Sequence, residues 1–136
     1  LGDVYKRQIV DIPGVSEIFH EGYVTYSNEA KERLLGVAPE TISDYGVVSR
    51  QTAAEMAAGA AKTAHTMIAL SSTGVAGPDG GTKEHPVGDV YLGCCYNGSV
   101  MTQHMLGCGS RTEIRQQAVA AAFSLLEKML TEEKIL

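Results

Sequence analysis

The sequence predicts an α/β domain, a three-layer sandwich in which helices flank a mixed β-sheet. Three observations carry this prediction: strand-like apolar runs alternate with helix-like segments, an Asn97-Gly98 dipeptide separates two apolar runs, and a long amphipathic segment closes the chain. Asn-Gly between apolar runs is typical of a two-residue hairpin, which makes part of the sheet antiparallel. The 136 residues suit a single domain.

The predicted elements follow in order along the chain. The strand-like segments are residues 19–27, 66–72, 87–96 and 99–106. The helix-like segments are residues 29–35, 49–64 and 110–129, with a short helical or turn connection at residues 39–45. Asn28 and Ser49 are the candidate N-caps of the first two helices, and Ser110-Arg111-Thr112-Glu113 forms a capping box for the last. Gly59 lies in an alanine-rich run, where it favours close packing on a neighbour over a helix break.

Composition and charge limit the class of partner. A net charge of −5 without a basic block argues against nucleic acid or an anionic membrane surface as partner, because both require clustered Lys and Arg. No apolar run approaches the ~20 residues of a bilayer span, and no charged-then-apolar leader opens the chain. We therefore expect a cytoplasmic protein whose partner is a small molecule.

The cysteines and histidines do not form a recognisable metal motif. Cys94, Cys95 and Cys108 contain no CxxC pair, and we interpret them as reduced core thiols, with Cys94 and Cys95 on opposite faces of a strand. The histidines are His20, His65, His85 and His104, without HxH or HExxH spacing. We predict no metal and no cofactor.

The stretch Tyr26-Ser27-Asn28-Glu29-Ala30-Lys31 is the first candidate for chemistry. It closes a predicted strand and places Lys31 in the first turn of the next helix. The partial positive charge of a helix N-terminus disfavours an ammonium and lowers its pKa toward that of a usable base. The alternative is that Lys31 extends into water, as most first-turn lysines do. Ser27 is a candidate nucleophile beside it, although a serine there is more often a cap.

The second candidate is the glycine-rich segment Thr73-Gly74-Val75-Ala76-Gly77-Pro78-Asp79-Gly80-Gly81, which follows a buried strand. Ligands of open α/β sheets usually bind at that end of a strand. Its glycines would free backbone amides for a phosphate or an oxyanion, and Thr73 would add a hydroxyl. Alternatively, the segment is only a long turn.

Two arginines begin the last helix. Arg111 could bind a phosphate or carboxylate through its forked guanidinium, or it could belong to a solvated helix face. For Arg115 we favour a solvated face on which Glu113 and other nearby polar groups satisfy the guanidinium.

Taken together, four ordered motifs point to a known family. They are Asp11-Ile12-Pro13-Gly14, Gly22-Tyr23-Val24-Thr25-Tyr26-Ser27-Asn28-Glu29-Ala30-Lys31, Tyr45-Gly46-Val47-Val48-Ser49 and the segment from Thr73 to Gly81. They resemble the CinA C-terminal domain family, also called PncC and known as nicotinamide mononucleotide amidohydrolase. The resemblance continues through Pro86-Val87-Gly88-Asp89-Val90-Tyr91 and the Arg111 region, and runs from residue 9 to the final helix.

The resemblance implies an activity and a site. It implies that nicotinamide mononucleotide is hydrolysed to nicotinate mononucleotide and ammonia, in pyridine nucleotide recycling, by a metal-free serine and lysine pair. Lys31 matches the family lysine. By the same analogy, the substrate pocket would be lined by Tyr26, Ser27, Asn28, Thr73, Gly74, Gly77, Pro78, Gly80 and Gly81, with Arg111 near the phosphate.

One departure concerns the nucleophile. The family serine belongs to a Glu-Ser-Cys-Thr-Gly-Gly motif whose separation from the lysine places it at or before Leu1. Residues 1–8 lack periodicity, and residues 3–8 resemble the translated end of a transposon used in sequencing libraries, so we interpret residues 1–8 as an adapter scar. Residues 9–136 would then be an incomplete domain without its N-terminal helix and strand, with an exposed sheet edge.

Three readings remain open. The first is an amidohydrolase whose serine lies upstream of this chain, which leaves the chain itself inactive. The second is a noncatalytic domain that binds a nucleotide or stabilises a partner, in a larger protein with an upstream domain such as CinA proteins often have. The third is another phosphate-ligand hydrolase that uses Ser27 with Lys31. We also expect a homodimer, since small-residue helix faces and sheet edges commonly pair.

Overall fold

The computed structural model describes residues 9–136, so the interpretation of residues 1–8 as a scar lies outside the described residues. The helices are α1 (Asn28–Leu35), α2 (Pro39–Tyr45), α3 (Arg50–Ala64) and α4 (Arg111–Glu132), and the strands are β1 (Ile68–Gly74), β2 (Asp89–Tyr96) and β3 (Ser99–Leu106). A 3-10 turn at Val15–Glu17 precedes them, and residues 9 and 10 are helical. None of the described helices combines the length and apolar character of a membrane span.

Within the described residues the sheet has three antiparallel strands in the order β1-β2-β3. The predicted hairpin is confirmed: Tyr96 pairs with Ser99, and the turn residues Asn97 and Gly98 have φ angles of 48° and 87°. Positive φ at both positions is the geometry that Asn-Gly favours. The turn therefore sets the β2–β3 register.

Helices cover both faces of this sheet, which confirms the predicted α/β sandwich. On one face, Ala57 and Ala61 of α3 form a buried cluster with Cys95 of β2. On the other face, α4 packs on β2 through a core that contains Val90, Leu92, Cys94, Ile114, Ala118, Ala122, Leu125 and Met129. Cys94 and Cys95 lie on opposite faces, as predicted, and burial raises the pKa of the Cys94 thiol to about 11. Cys108 is exposed, so its assignment to the core is wrong.

Small residues bring the helices close to their neighbours. The Ser71 hydroxyl of β1 donates to the Ala53 carbonyl of α3 at 2.6 Å. A Cβ on Gly59 would lie 1.6 Å from the Leu35 carbonyl oxygen, so α1 passes directly over this position of α3. The prediction that Gly59 serves close packing is confirmed.

Two expectations about the sheet are wrong. The segment predicted as a strand at residues 19–27 is not a strand and pairs with none of the described strands, and within residues 9–136 the sheet is antiparallel rather than mixed. An extended segment becomes a strand only when a neighbour pairs with its backbone N–H and C=O groups, and composition does not supply that neighbour. The strand predicted at residues 66–72 begins later, at Ile68.

Candidate functional site

Lys31 is buried, with 6% of its surface exposed, in the N-terminal half of α1. Its Nζ donates a hydrogen bond to the Thr25 carbonyl oxygen, which belongs to the segment before the helix. Burial lowers the pKa of Lys31, because the charged form loses hydration. The expected direction of the pKa shift is therefore confirmed, but burial rather than the helix N-terminus causes it. The alternative in which Lys31 extends into water is wrong.

The residues before Lys31 begin its helix. Ser27, not Asn28, is the N-cap, and its Oγ accepts a hydrogen bond from the Ala30 N–H at 3.0 Å. Asn28 is one residue inside the helix, because the backbone is extended at Ser27 and helical from Asn28. Tyr26 is 78% exposed. Ser27 and Lys31 share no side-chain hydrogen bond among the contacts of residues 9–136.

Thr73 and Gly74 close β1 against its neighbours. The Thr73 hydroxyl is buried and donates to the Val47 carbonyl at 2.7 Å, in the loop before α3. A Cβ on Gly74 would lie 2.6 Å from the Asp89 carbonyl oxygen and 2.8 Å from the Val90 Cα. The close approach of β2 therefore requires glycine at 74, whether or not a ligand binds nearby.

The glycine-rich loop, defined here as residues 75–88, wraps around Val87. A Cβ on Gly77 would lie 2.5 Å from the Val87 Cγ1, and one on Gly81 would lie 2.9 Å from its Cγ2. Gly80 has a φ of 86°, an added Cβ there would lie 3.9 Å from the Val75 Cγ1, and Pro78 is exposed. The backbone N–H groups of Gly77, Gly80 and Gly81 donate to no other group in the described part of the chain. Gly80 and Gly81 are exposed, so their N–H groups are available to a ligand or to water.

Arg111 of α4 lies beside this loop. Ser110 and Glu113 form the predicted capping box, and the Arg111 guanidinium donates to the Gly77 carbonyl at 2.9 Å. Arg111 thus holds the first part of the loop, at Gly77. The Nε of Arg115 is buried and has no hydrogen-bond partner within residues 9–136, which contradicts the expectation that nearby polar groups satisfy it.

The structure adds a cluster that the sequence analysis missed. Asp89 is 4% exposed, and its carboxylate lies between two imidazoles, with His85 Nδ1 2.7 Å from Oδ2 and His104 Nε2 against Oδ1. The His104 ring stacks on Tyr91 with centroids 4.4 Å apart. Burial raises the pKa of Asp89, but the hydrogen bonds from His104 and His85 outweigh burial and leave the pKa below its usual value.

A signal for this cluster exists in the sequence. An Asn97-Gly98 hairpin pairs Tyr96 with Ser99, and the same register places His104 opposite Tyr91 and one diagonal step from Asp89. Within the described residues, no group of three or more His, Cys, Asp or Glu side chains has an arrangement that could hold a metal ion.

The structure thus brings some predicted site residues together. Thr73, Gly74 and the loop meet Arg111 at the end of β1. Lys31 belongs to α1 on the other side of α3, and no hydrogen bond or ion pair in residues 9–136 joins it to the loop. The fold and these features define an α/β sandwich domain with a buried lysine and a glycine-rich loop at the sheet end.

The chain belongs to the CinA C-terminal domain family, whose sequence profile matches residues 2–130. It is 52% identical over 127 residues to a competence-damage inducible protein of Clostridium acetobutylicum, covering 93% of this chain and 31% of that protein. It is 48% identical over 129 residues to a CinA-like protein of Kosmotoga olearia, covering 95% of this chain and 31% of that protein. The chain therefore spans about a third of the length of the curated relatives it matches.

Solved structures agree with this assignment. The competence/damage inducible protein CihA of Agrobacterium tumefaciens has a TM-score of 0.88 and 42% identity, over 93% of this chain and 78% of that one. A CinA superfamily protein of Klebsiella pneumoniae has a TM-score of 0.91 and 30% identity, over 96% of this chain and 82% of that one. The expected family membership is confirmed.

Proposed function

We propose that this domain belongs to an amidohydrolase that converts nicotinamide mononucleotide and water to nicotinate mononucleotide and ammonia. The neutral amine of Lys31 takes the proton of a serine hydroxyl, and the serine oxygen bonds to the carboxamide carbon. The carbon–nitrogen bond then breaks, and the nitrogen leaves as ammonia with the proton that Lys31 returns. Water hydrolyses the resulting ester and releases the carboxylate.

The observation that carries this proposal is the burial of Lys31. A lysine amine is a general base only when a useful fraction of it is neutral, and burial lowers the pKa of Lys31 in that direction. The family resemblance gives the lysine this same role. A solvent-exposed lysine at position 31 would not support the mechanism.

Groups near the glycine-rich loop support an anionic substrate. The exposed N–H groups of Gly80 and Gly81, which donate to no group in residues 9–136, are donors of the kind that hold a phosphate. The Arg111 guanidinium, which donates to the Gly77 carbonyl at 2.9 Å, adds a cationic group beside the loop.

The nucleophile is the point on which the candidate functions differ. Ser27 is engaged as a helix cap, which disfavours it as the attacking group. We propose that the serine belongs to polypeptide upstream of residue 1, as the family motif implies. The alternative is a noncatalytic domain that binds a nucleotide or stabilises a partner. The greater length of the curated relatives supports a partner domain on the same polypeptide. The homodimer and the cytoplasmic location stay predictions.

The test is ammonia release from nicotinamide mononucleotide by four proteins. These are the 136-residue chain, a form extended with its natural upstream segment, and the extended form carrying Lys31→Met or Ser27→Ala. We expect activity in the extended form, a loss of about a hundredfold or more in Lys31→Met, and activity retained in Ser27→Ala. Ser27→Ala is the matched control, because it removes a cap worth about 1 kcal/mol next to the same lysine.

Two results would each overturn the proposal and support a different function. If the extended form binds the nucleotide without releasing ammonia, the domain is a binding module. If the 136-residue chain is active and Ser27→Ala abolishes the activity of the extended form, Ser27 is the nucleophile.

A further inference from the structure

The cluster of Asp89 with His85 and His104, called here the Asp89 latch, joins three separate parts of the chain. Asp89 is the first residue of β2, His85 lies on the returning limb of the glycine-rich loop, and His104 belongs to β3. The carboxylate is buried, whereas the side chains of His85 and His104 are 36% and 43% exposed. The latch thus ties an exposed loop to the outer strand of the sheet.

Side-chain contacts hold the loop at two points, in addition to the backbone hydrogen bonds that join Val75 to Gly88 and Asp89 at its base. Near the start of the loop, Arg111 donates to the Gly77 carbonyl at 2.9 Å. Near its end, the latch holds His85. Between these ties the chain is exposed from residue 78 to residue 84. This exposed part contains Gly80 and Gly81, whose N–H groups are free. The two side-chain contacts therefore flank the exposed segment that carries the free donors.

The latch needs both histidines. An ionised carboxylate only accepts hydrogen bonds, and a buried oxygen without a donor costs free energy. His85 satisfies Oδ2 and His104 satisfies Oδ1, so losing either donor leaves one oxygen of a buried charge without a side-chain partner. The stacking of His104 on Tyr91 fixes the ring that reaches Oδ1. His104 and the loop residue His85 therefore contact the same carboxylate.

We infer that Asp89 is a positioning residue, which holds the glycine-rich loop through His85 and His104 in the conformation that presents its free N–H groups to a nucleotide phosphate. The nucleotide part of this inference rests on the proposed function. The positioning part rests only on the contacts of the latch.

The first test is hydrogen exchange of residues 76–88 in the 136-residue chain, using a matched pair at His104. Gln in His104→Gln keeps a nitrogen donor near the position of Nε2, whereas Leu in His104→Leu has a similar size and no donor. His104 lies outside the loop, so neither change alters the loop sequence. We expect exchange of the loop to rise about tenfold in His104→Leu and to stay close to the parent in His104→Gln.

A purely structural role gives a different result. If His104 only supports the fold, exchange rises across β1 and α3 as well as the loop, and the Gln and Leu variants behave alike. Either result overturns the latch. A second pair of variants keeps the test decisive if His104→Leu folds poorly. In His85→Asn an amide nitrogen replaces Nδ1, whereas His85→Ala removes the donor. We expect loop exchange to rise in His85→Ala and to stay near the parent in His85→Asn, and both should fold because half-exposed His85 contributes little to the core.

The second test is the affinity of the four variants for nicotinamide mononucleotide. We expect about tenfold weaker binding in His104→Leu and His85→Ala, with the donor-preserving partners near the parent. If no form binds the nucleotide while loop exchange still separates the pairs, the latch is supported and the nucleotide function fails. If all forms bind equally, the latch does not position the loop for this ligand and the inference is overturned.

Discussion

Replacement of Gly59 by alanine tests how α1, the helix that carries Lys31, is held against α3. In most helix interiors alanine is more stable than glycine by about 1 kcal/mol, because glycine loses more backbone freedom on folding. At position 59 we expect the opposite, with alanine less stable than glycine. The added Cβ would lie 1.6 Å from the Leu35 carbonyl oxygen and 2.6 Å from the Leu35 carbonyl carbon.

The size of the effect follows from those distances. Both contacting atoms belong to backbone, so no side-chain rotation relieves the clash and α1 must shift as a whole. Overpacking of this kind costs up to about 3 kcal/mol, and the helix-propensity gain offsets about 1 kcal/mol of it. We expect Gly59→Ala to lower the free energy of unfolding by about 2 kcal/mol. The shift should also expose Lys31, because α1 carries both Leu35 and Lys31.

Urea denaturation followed by circular dichroism measures this difference. The matched control is Ala58→Gly, at an exposed neighbouring position of the same helix, which should lose about 1 kcal/mol from propensity alone. The reasoning is refuted if Gly59→Ala is as stable as the parent or more stable, since α1 would then not approach α3 as closely as described.

Three further predictions concern the loop and its surroundings. Because the folded-state pKa of Asp89 is lower than the unfolded value of about 3.9, its carboxylate stabilises the fold above about pH 4, and this contribution is lost as pH falls through the folded pKa. Thermal melts from about pH 6 to about pH 3 should therefore show a shallower decline in Asp89→Asn, and parallel declines would contradict the latch. Thr73→Val should lose about 1 kcal/mol in urea denaturation, because the hydrogen bond to the Val47 carbonyl is lost, and an unchanged midpoint would show that this bond contributes nothing. Ser110→Ala removes the cap of α4 and should cost about 1 kcal/mol, with Ser124→Ala on the exposed side of the same helix as a control that stays near the parent.

Local chemistry made part of the fold predictable. The Asn97-Gly98 hairpin and the capping box at Ser110 each depend on neighbouring residues or on a single conformational preference. Residues 19–27 were not predictable in this way. They have strand composition, but strand formation requires a pairing partner elsewhere in the structure.

The candidate site also combines features that the sequence predicts with features that depend on distant contacts. The direction of the Lys31 pKa shift was predicted from the position of Lys31 in the first turn of a helix, but burial causes the shift, and no local pattern in the sequence shows that burial. The Asp89 latch depends on contacts across a hairpin and across the loop, which no local pattern contains. The register set by the hairpin turn is enough to place His104 near Asp89, which are two of the three residues of the latch.

The central claim is that Lys31 is a buried amine whose ionisation is displaced toward the neutral form. The most direct measurement is an NMR titration of the lysine side-chain nitrogens, with the Lys31 signal assigned by its absence in Lys31→Met. We expect Lys31 to titrate below the usual lysine pKa of about 10.4, because burial disfavours its charged form. A Lys31 signal that titrates at or above about 10.4 would contradict this expectation and remove the proposed base.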